Sequence, residues 1–393
     1  MPSSRSGRLP GAPESLRRVL LLTSAVVLVD TLFFAALTPL LPHYAEELDL
    51  GKGGAGLLAA AYPLGALAGS IPSGVVAVRA GVKPTVLAGL SVVALTTALF
   101  GFAQTAWQLD VARFTQGLAS AFSWTGALAW LVAVAPPGRR GTLIGQAFAA
   151  AVLGALLGPV LGGVASVVGT RPAFSAVAAA SLGLAFWAAR TPAARPEQPQ
   201  PLAMLVHALR ERRILLSIWL VVLPALLYGT LSVLGPLRLA ELGFGSVAIG
   251  AVWLVASALE SANNILIGRA SDRFGPLAPV RAGLVAAIVA TALLPWPDNG
   301  LVLAVVVCFA ALSFGVFYTP GMTILTHAAE ARGLDYGYAF ALINLAWAPG
   351  QSAGAAVGGA VAQVTSNAVP YLTLSGVALL TLVFLRRAES PPA

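Results

Sequence analysis

The chain has 393 residues, of which 58% are hydrophobic and only 10% charged, with a formal net charge of +8. A soluble domain carries about a quarter charged residues, so this composition excludes the two or three soluble domains that the length alone would allow. It calls for a helical protein that crosses a bilayer many times, since each crossing takes about 20 apolar residues.

The excess positive charge does not indicate nucleic acid, because the basic residues sit in short segments between apolar runs and not in one patch. The single cysteine, Cys308, falls inside an apolar run, which excludes a disulfide framework and a thiolate metal site. His43, His207 and His327 lack metal-ligand spacing, and no Gly-x-x-x-x-Gly-Lys-Ser/Thr sequence exists to bind ATP. No cofactor is expected.

Read from the N-terminus, Arg5, Arg8, Arg17 and Arg18 precede an apolar run that resembles a signal peptide. The run continues for about 20 residues without an A-x-A cleavage site, so it reads as a retained first span. Twelve spans follow from the apolar runs, near 18–42, 55–78, 84–103, 107–134, 141–166 and 172–190, then 214–238, 246–269, 279–296, 301–328, 337–363 and 370–386. If the N-terminus is cytoplasmic, the segments on that side hold Arg5, Arg8, Arg17, Arg18, Arg79, Lys83, Arg139, Arg140, Arg190, Arg195, Arg210, Arg212, Arg213, Arg269, Arg273, Arg281, Arg332, Arg386 and Arg387. That is 19 of the 23 Lys and Arg, against Lys52, Arg171 and Arg238 on the other side, and it predicts that both termini are cytoplasmic.

The longest loop, 191–213, separates a six-span half at 1–190 from a second at 214–393. Its first part (Pro192, Pro196, Pro199, Pro201) cannot be a regular helix. Its second part aligns Leu202, Leu205, Val206 and Leu209 on one face, which suits either a short helix on the cytoplasmic leaflet or a plain tether. The two halves repeat. Gly74-Val-Val-Ala-Val78-Arg79-Ala-Gly81 after the second span returns as Gly268-Arg-Ala-Ser-Asp272-Arg273-Phe-Gly275 after the eighth, 194 residues later. The glycine-lined fifth span, Gly154-Ala-Leu-Leu-Gly158-Pro159-Val-Leu-Gly162-Gly163, returns after 196 residues as Gly350 to Gly359. Two repeats at nearly one offset predict parallel six-helix bundles related by an axis along the membrane normal. Within that fold the glycines permit close helix packing, and Gly81 and Gly275 permit tight turns with positive φ.

With these motifs the chain resembles the major facilitator superfamily over essentially its whole length. The loop Gly268 to Gly275 resembles that family's loop signature, and Gly154, Gly158, Pro159, Gly162 and Gly163 look like the antiporter motif of its twelve-span drug:proton antiporter branch. Arg113-Phe-Thr-Gln116-Gly117 and the first-span stretch Asp30 to Pro42 resemble two further motifs of that branch. The resemblance implies an all-α fold of twelve transmembrane helices, and gating roles for Gly74, Arg79, Gly81, Gly268, Asp272, Arg273 and Gly275. Val78 departs from the pattern, standing where the family usually carries aspartate, so Asp272 is expected to carry more of the gate contact.

Charges within spans are few. Asp30, Arg113 and Glu260 lie well inside, each costing about 2.5–3.5 kcal/mol at a helix centre on insertion scales. At about 1.5 Å per residue, Asp30 and Arg113 lie at roughly 18 and 21 Å from the inner face and can meet if their helices pack. They read either as a proton-coupling pair or as a structural one. Glu260 reads as a second proton site or a site for a cationic substrate, or else as a protonated carboxyl bonded to Asn263 or Asn264. The expected substrate cavity is lined by Phe33, Phe34, Gln116, Phe122, Trp124, Tyr228, Phe317, Tyr318, Asn344 and Trp347, an aromatic wall suited to amphipathic organic compounds.

The expectation is therefore a non-enzymatic, proton-coupled efflux transporter of a bacterial inner membrane, acting as a monomer. Its partners are a small-molecule substrate, protons and the lipid bilayer. An uptake or facilitated-diffusion permease, and a non-transporting membrane sensor or scaffold, are the rival readings.

Overall fold

The computed structural model describes residues 12–193, 200–275, 277–334 and 336–387, and among these there are helices and turns but no strands. The first half forms α1 (Ala12–Glu47), α2 (Gly51–Arg79), α3 (Val82–Phe102), α4 (Ala106–Val134), α5 (Arg140–Val168) and α6 (Thr170–Ala189). A short α7 (Leu202–Ala208) precedes α8 (Arg212–Glu241), α9 (Ser246–Phe274), α10 (Leu277–Leu293), α11 (Gly300–Ala331), α12 (Tyr336–Val364) and α13 (Ala368–Arg387). By length and hydropathy alone, ten of the described helices are long and apolar enough to cross a membrane, and α10 is a shorter apolar helix of 17 residues. The alanine- and glycine-rich α12 has 29 residues. Most helices run several residues past their apolar cores, as α1 does from 12 to 47, because the backbone satisfies itself best by staying helical through the headgroup layer.

The packing repeats between halves. In the first, α1 packs on α5, α2 on α4, and α3 on both α4 and α6; in the second, α8 packs on α12, α9 on α11, and α10 on both α11 and α13. Each contact maps onto its counterpart when α1–α6 are matched in order to α8–α13. The halves then meet through α2 against α12 and α5 against α9, a pair of interfaces exchanged by the same symmetry.

Glycines set these approaches. A Cβ on Gly158 would lie 2.7 Å from the Leu32 carbonyl oxygen of α1, and Gly154 and Gly162 abut Leu28 and Ala36 of the same helix. On α12, Gly350 and Gly354 abut Val222 and Leu226 of α8, and a Cβ on Gly358 would lie 2.8 Å from Thr230 Oγ1. Leu28, Leu32 and Ala36 correspond to Val222, Leu226 and Thr230 at the 194-residue offset, so the helix-on-helix contact is itself repeated. The turns after α2 and α9 repeat too: Gly81 has φ +101° and Gly275 φ +81°, a region where a side chain would be strained.

One end of the molecule carries Arg79, Arg139, Arg140 and Arg332, and is called here the basic end; the other carries Lys52, Glu241 and Asp298. The α2–α12 interface is closed along its length. Near the basic end Gly74 sits beside Ala341, Gly337 and Tyr338, and at the other end Gly53 N donates to Gln363 Oε1 (2.6 Å) while Lys52 Nζ donates to Asn367 Oδ1 (2.8 Å). By contrast, α5 and α9 touch at Gly163–Val247 and Pro159–Gly250, whereas side chains on Gly141 and Gly145 would meet open space. The helices diverge toward the basic end.

The loop helix α7 is shorter than its apolar pattern and packs on protein as well as facing outward. Leu205 and Ala208 are buried in a cluster with Val78, Ile214, Leu334 and Tyr338, while Val206 is 45% exposed. Val78 belongs to the same buried apolar cluster, which suits valine where the loop motif would otherwise carry an acid. Residues 194–199 of the proline-rich part lie outside the described residues.

Candidate functional site

A cavity of about 1440 Å³ occupies the space between the two bundles, larger than the usual pocket for a drug-sized molecule. Its walls include Asp30, Phe34, Tyr62, Arg113, Ser120 and Trp124 from α1, α2 and α4, and Tyr228, Trp253, Glu260, Asn344 and Trp347 from α8, α9 and α12. It reaches Arg140 and Gly141 at the start of α5 and the turn residues Gly333 and Leu334, all at the basic end, and so opens there. At the opposite end the α2–α12 and α5–α9 contacts close over it.

Asp30 is the polar centre of the first bundle's wall. Its Oδ2 accepts hydrogen bonds from Ser120 Oγ (2.7 Å), Trp124 Nε1 (2.6 Å) and Tyr62 Oη (2.8 Å), and Tyr62 Oη also lies 2.6 Å from Ser120 Oγ. All three bonds converge on one carboxyl oxygen, so α1, α2 and α4 are tied together at this point. Ser120 and Trp124 are one turn apart on α4, so the single helix face that carries Gln116 delivers both.

Arg113 is 1% exposed and does not form a direct ion pair with Asp30. Its guanidinium carbon lies 5.0 Å from the Tyr62 ring, 5.4 Å from Phe33, 5.8 Å from Phe100 and 5.9 Å from Phe34. It donates to Gln116 Oε1 (3.3 Å) and the Phe34 carbonyl oxygen (3.4 Å), and its Nε has no hydrogen-bond partner. Acid and base meet through Tyr62, whose hydroxyl bonds Asp30 while its ring lies against the Arg113 guanidinium. Cation–π attraction replaces part of the solvation that burial removes.

Glu260 lies on the opposite wall. Tyr228 hydrogen-bonds its carboxyl and also donates to the Ala311 carbonyl oxygen (2.7 Å). Gly315 of α11 makes the room: a Cβ there would lie 2.7 Å from Glu260 Cγ. The side chain of Asn264 lies outside the described residues, and no bond from Asn263 to Glu260 is formed.

The structure sorts the expected lining residues. Phe34, Trp124, Tyr228, Asn344 and Trp347 face the cavity, and Phe34 stacks edge-on against Trp347 (5.5 Å) across the bundle boundary. Four others do not. Phe33 points the other way, into edge-to-face contacts with Phe174 and Phe100 (5.0 and 5.6 Å), because it is about 100° around α1 from Phe34. Gln116 is buried and donates to Thr97 Oγ1 of α3 (2.8 Å), holding Arg113 from behind. Phe317 is buried in the core and Phe122 lies off the cavity wall. The side chains of Tyr318 and Asp272 lie outside the described residues. Arg79 and Arg273 are exposed at the basic end, and Arg273 sits 5.1 Å from the Phe274 ring. Tyr62 and Ser120, which complete the Asp30 site, are additions to the expected set. Ser120 was signalled by its four-residue spacing from both Gln116 and Trp124, whereas Tyr62 had no comparable pattern.

The chain is similar to known proteins across this whole region. A family model described as Major Facilitator Superfamily matches residues 23–351. The MFS-type transporter ppzB of Metarhizium rileyi is 25% identical over an alignment covering 80% of this chain and 83% of the relative. The chloramphenicol resistance protein of Streptomyces lividans is 29% identical over 84% of this chain and 86% of the relative. Among solved structures, a partially occluded inward open conformation of the xylose transporter XylE from E. coli matches with a TM-score of 0.76 at 13% identity, covering 95% of this chain and 98% of that one.

Proposed function

Because the chain belongs to the Major Facilitator Superfamily and is a multi-pass membrane transporter, we propose that it exports small amphipathic organic compounds in exchange for protons. The observation that carries this reading is Asp30, a carboxylate on the wall of the central cavity bound by Tyr62, Ser120 and Trp124. Protonation removes the negative charge that these three donors share and adds an O–H donor to the carboxyl, which weakens the bonds that hold the cluster. Trp124 and Tyr62 themselves line the cavity, and proton uptake is thereby felt where substrate sits. The mainly apolar wall with its aromatic side chains, and the similarity to a relative called a chloramphenicol resistance protein, favour export of drug-like compounds over sugar uptake.

Residues 1–190 and 214–393 act as the two rocking bodies and residues 191–213 as their cytoplasmic tether. The basic end faces the cytoplasm of a bacterial cell, on the strength of the 19 of 23 Lys and Arg assigned there. The cavity then opens inward, and the contacts of Gly53 with α12 and of Lys52 with Asn367, in the turn after α12, form the closed outer side. Alternating access requires those contacts to part while Gly141 and Gly145 close toward α9. The protein works as a monomer.

Growth-inhibition profiling of an expressing strain against its deletion identifies the exported compounds. In everted vesicles from that strain, accumulation of such a compound should follow an imposed proton gradient and collapse with a protonophore. Accumulation to equilibrium only, indifferent to the gradient, would identify a facilitator instead.

A further inference from the structure

The two carboxylates of the cavity are not equivalent. Asp30 has three hydrogen-bond donors on one oxygen, and the nearest cation, Arg113, is screened behind the Tyr62 ring. Glu260 is supported by Tyr228. The ion pairs among the described residues are His43–Glu47, Lys52–Glu241, Arg238–Glu241, Arg238–Asp298 and Arg332–Glu211, and Glu260 belongs to none of them. The other charged residues lining the cavity are Asp30, Arg113 and Arg140, and Arg140 stands at the mouth. A carboxylate half-buried in a low-dielectric wall without a counter-charge is costly, and the fold builds a seat for it by leaving Gly315 without a side chain. Tyr228 touches the carboxyl directly, and Trp253 and Trp347 line the same cavity. A cavity that carries an unpaired acid on its wall and aromatic rings elsewhere in its lining attracts a positively charged organic group through both charge and ring quadrupoles.

We propose that Glu260 is the counter-ion for a cationic group on the transported compound, so that the site selects amphipathic organic cations over neutral and anionic molecules of the same shape. This assignment rests on the transport reading but divides the labour: Asp30 responds to protons, Glu260 to the substrate's charge. Entry of the cation completes the missing charge pair on the second bundle's wall, opposite the first bundle's acid.

The test is equilibrium binding to purified full-length protein, which needs no proton gradient and therefore stands apart from the efflux assay. Tetraphenylphosphonium and tetraphenylborate share a shape and differ in charge sign, and triphenylphosphine oxide supplies a neutral relative. The wild-type protein should prefer the phosphonium to the borate by about tenfold or more, the scale of a single partly desolvated charge contact. Glu260→Gln should abolish that preference while retaining triphenylphosphine oxide binding, which reports an intact cavity, and Glu260→Asp should restore part of it. A second measurement uses wild-type protein alone: tetraphenylphosphonium should protect Glu260 from a hydrophobic carbodiimide, and tetraphenylborate should not. Equal binding of the two ions by wild-type protein overturns the proposal, as does a cation preference that survives Glu260→Gln or is removed by Asp30→Asn alone. Loss of proton-driven efflux with the binding preference intact would count against the antiport reading and leave the cation site standing.

Discussion

Asp30 and Arg113 are joined through Tyr62 and not by direct contact: the Tyr62 hydroxyl donates to the carboxylate at 2.8 Å, and its ring lies 5.0 Å from the guanidinium carbon. A proton arriving at Asp30 therefore acts on Arg113 through the position of one side chain. Tyr62→Phe keeps the ring and removes the hydroxyl, which leaves the cation–π contact in place and deletes the link. Losing a hydrogen bond to a charged group costs about 1.5–3 kcal/mol of stability, which a bundle this size tolerates. The expected result is a folded protein whose proton-driven efflux falls about tenfold, the effect of about 1.4 kcal/mol on the coupled step, while substrate exchange without a gradient continues. Unchanged uphill efflux in Tyr62→Phe would mean that Arg113 is coupled to Asp30 by some other route or not at all.

The outer closure can be frozen. A Cβ on Gly53 of α2 would lie 3.8 Å from Ala360 Cα of α12, within the reach of a disulfide. In a Cys308→Ala background, Gly53→Cys with Ala360→Cys should cross-link on mild oxidation, block transport and recover with reductant. Transport that proceeds at full rate through the cross-linked protein would show that α2 and α12 do not part at this end.

The glycine helices make a matched pair of predictions. Gly158→Leu and Gly354→Leu should each abolish transport yet leave membrane insertion intact, since apolar length is unaltered and only the close approach to α1 or α8 is lost. Gly183, on α6, is a control in open space, and Gly183→Leu should transport normally. Near-normal transport by either of the first two variants would reduce the close packing to an incidental feature.

Much of this architecture was legible in the residues because lipid leaves few choices. Twelve apolar runs, basic segments on one side and two motifs repeated at offsets of 194 and 196 residues lead to paired six-helix bundles without further information. What the linear pattern does not reveal is rotation about each helix axis. In a soluble helix a polar face marks the outside, but here both lipid and core are apolar, so Phe33 and Phe34 look alike although one packs inward and the other lines the cavity. Depth was readable from residue counting, and Asp30 and Arg113 are close to level. The intervening ring was not, since Tyr62 comes from a third helix. Val78 was legible as a departure from the loop pattern, and the buried apolar cluster that suits it appears only in the folded structure.

Orientation follows from charge and is open to direct measurement. Single cysteines at residues 52, 139 and 200, again in the Cys308→Ala background, should react with an impermeant maleimide from outside intact cells at residue 52 and only after lysis at the other two. Labelling of residue 139 in intact cells would reverse the assignment and, with it, the inward-open reading of the cavity.

The decisive variant for coupling is Asp30→Asn. In the proposed antiport, inward proton movement supplies about 2.3 kcal/mol per charge per 100 mV, and some group on the cavity wall has to bind the proton on one side and release it on the other. Asparagine keeps the size of the side chain and an acceptor oxygen for Tyr62, Ser120 and Trp124, but it cannot titrate. Asp30→Asn should therefore retain energy-independent exchange of substrate and lose uphill efflux, with substrate-induced proton release in weak buffer falling in parallel. Asp30→Ala is a poorer test, because it strands the Ser120 and Trp124 donors and removes the acid that balances Arg113 across the Tyr62 ring. If Asp30→Asn still pumps uphill while Glu260→Gln does not, the proton site lies on α9 and the Asp30 cluster is a structural tie between α1, α2 and α4. If both single variants pump normally, proton antiport itself has to be abandoned in favour of facilitated diffusion, because the described cavity lining offers no other carboxylate to carry the proton.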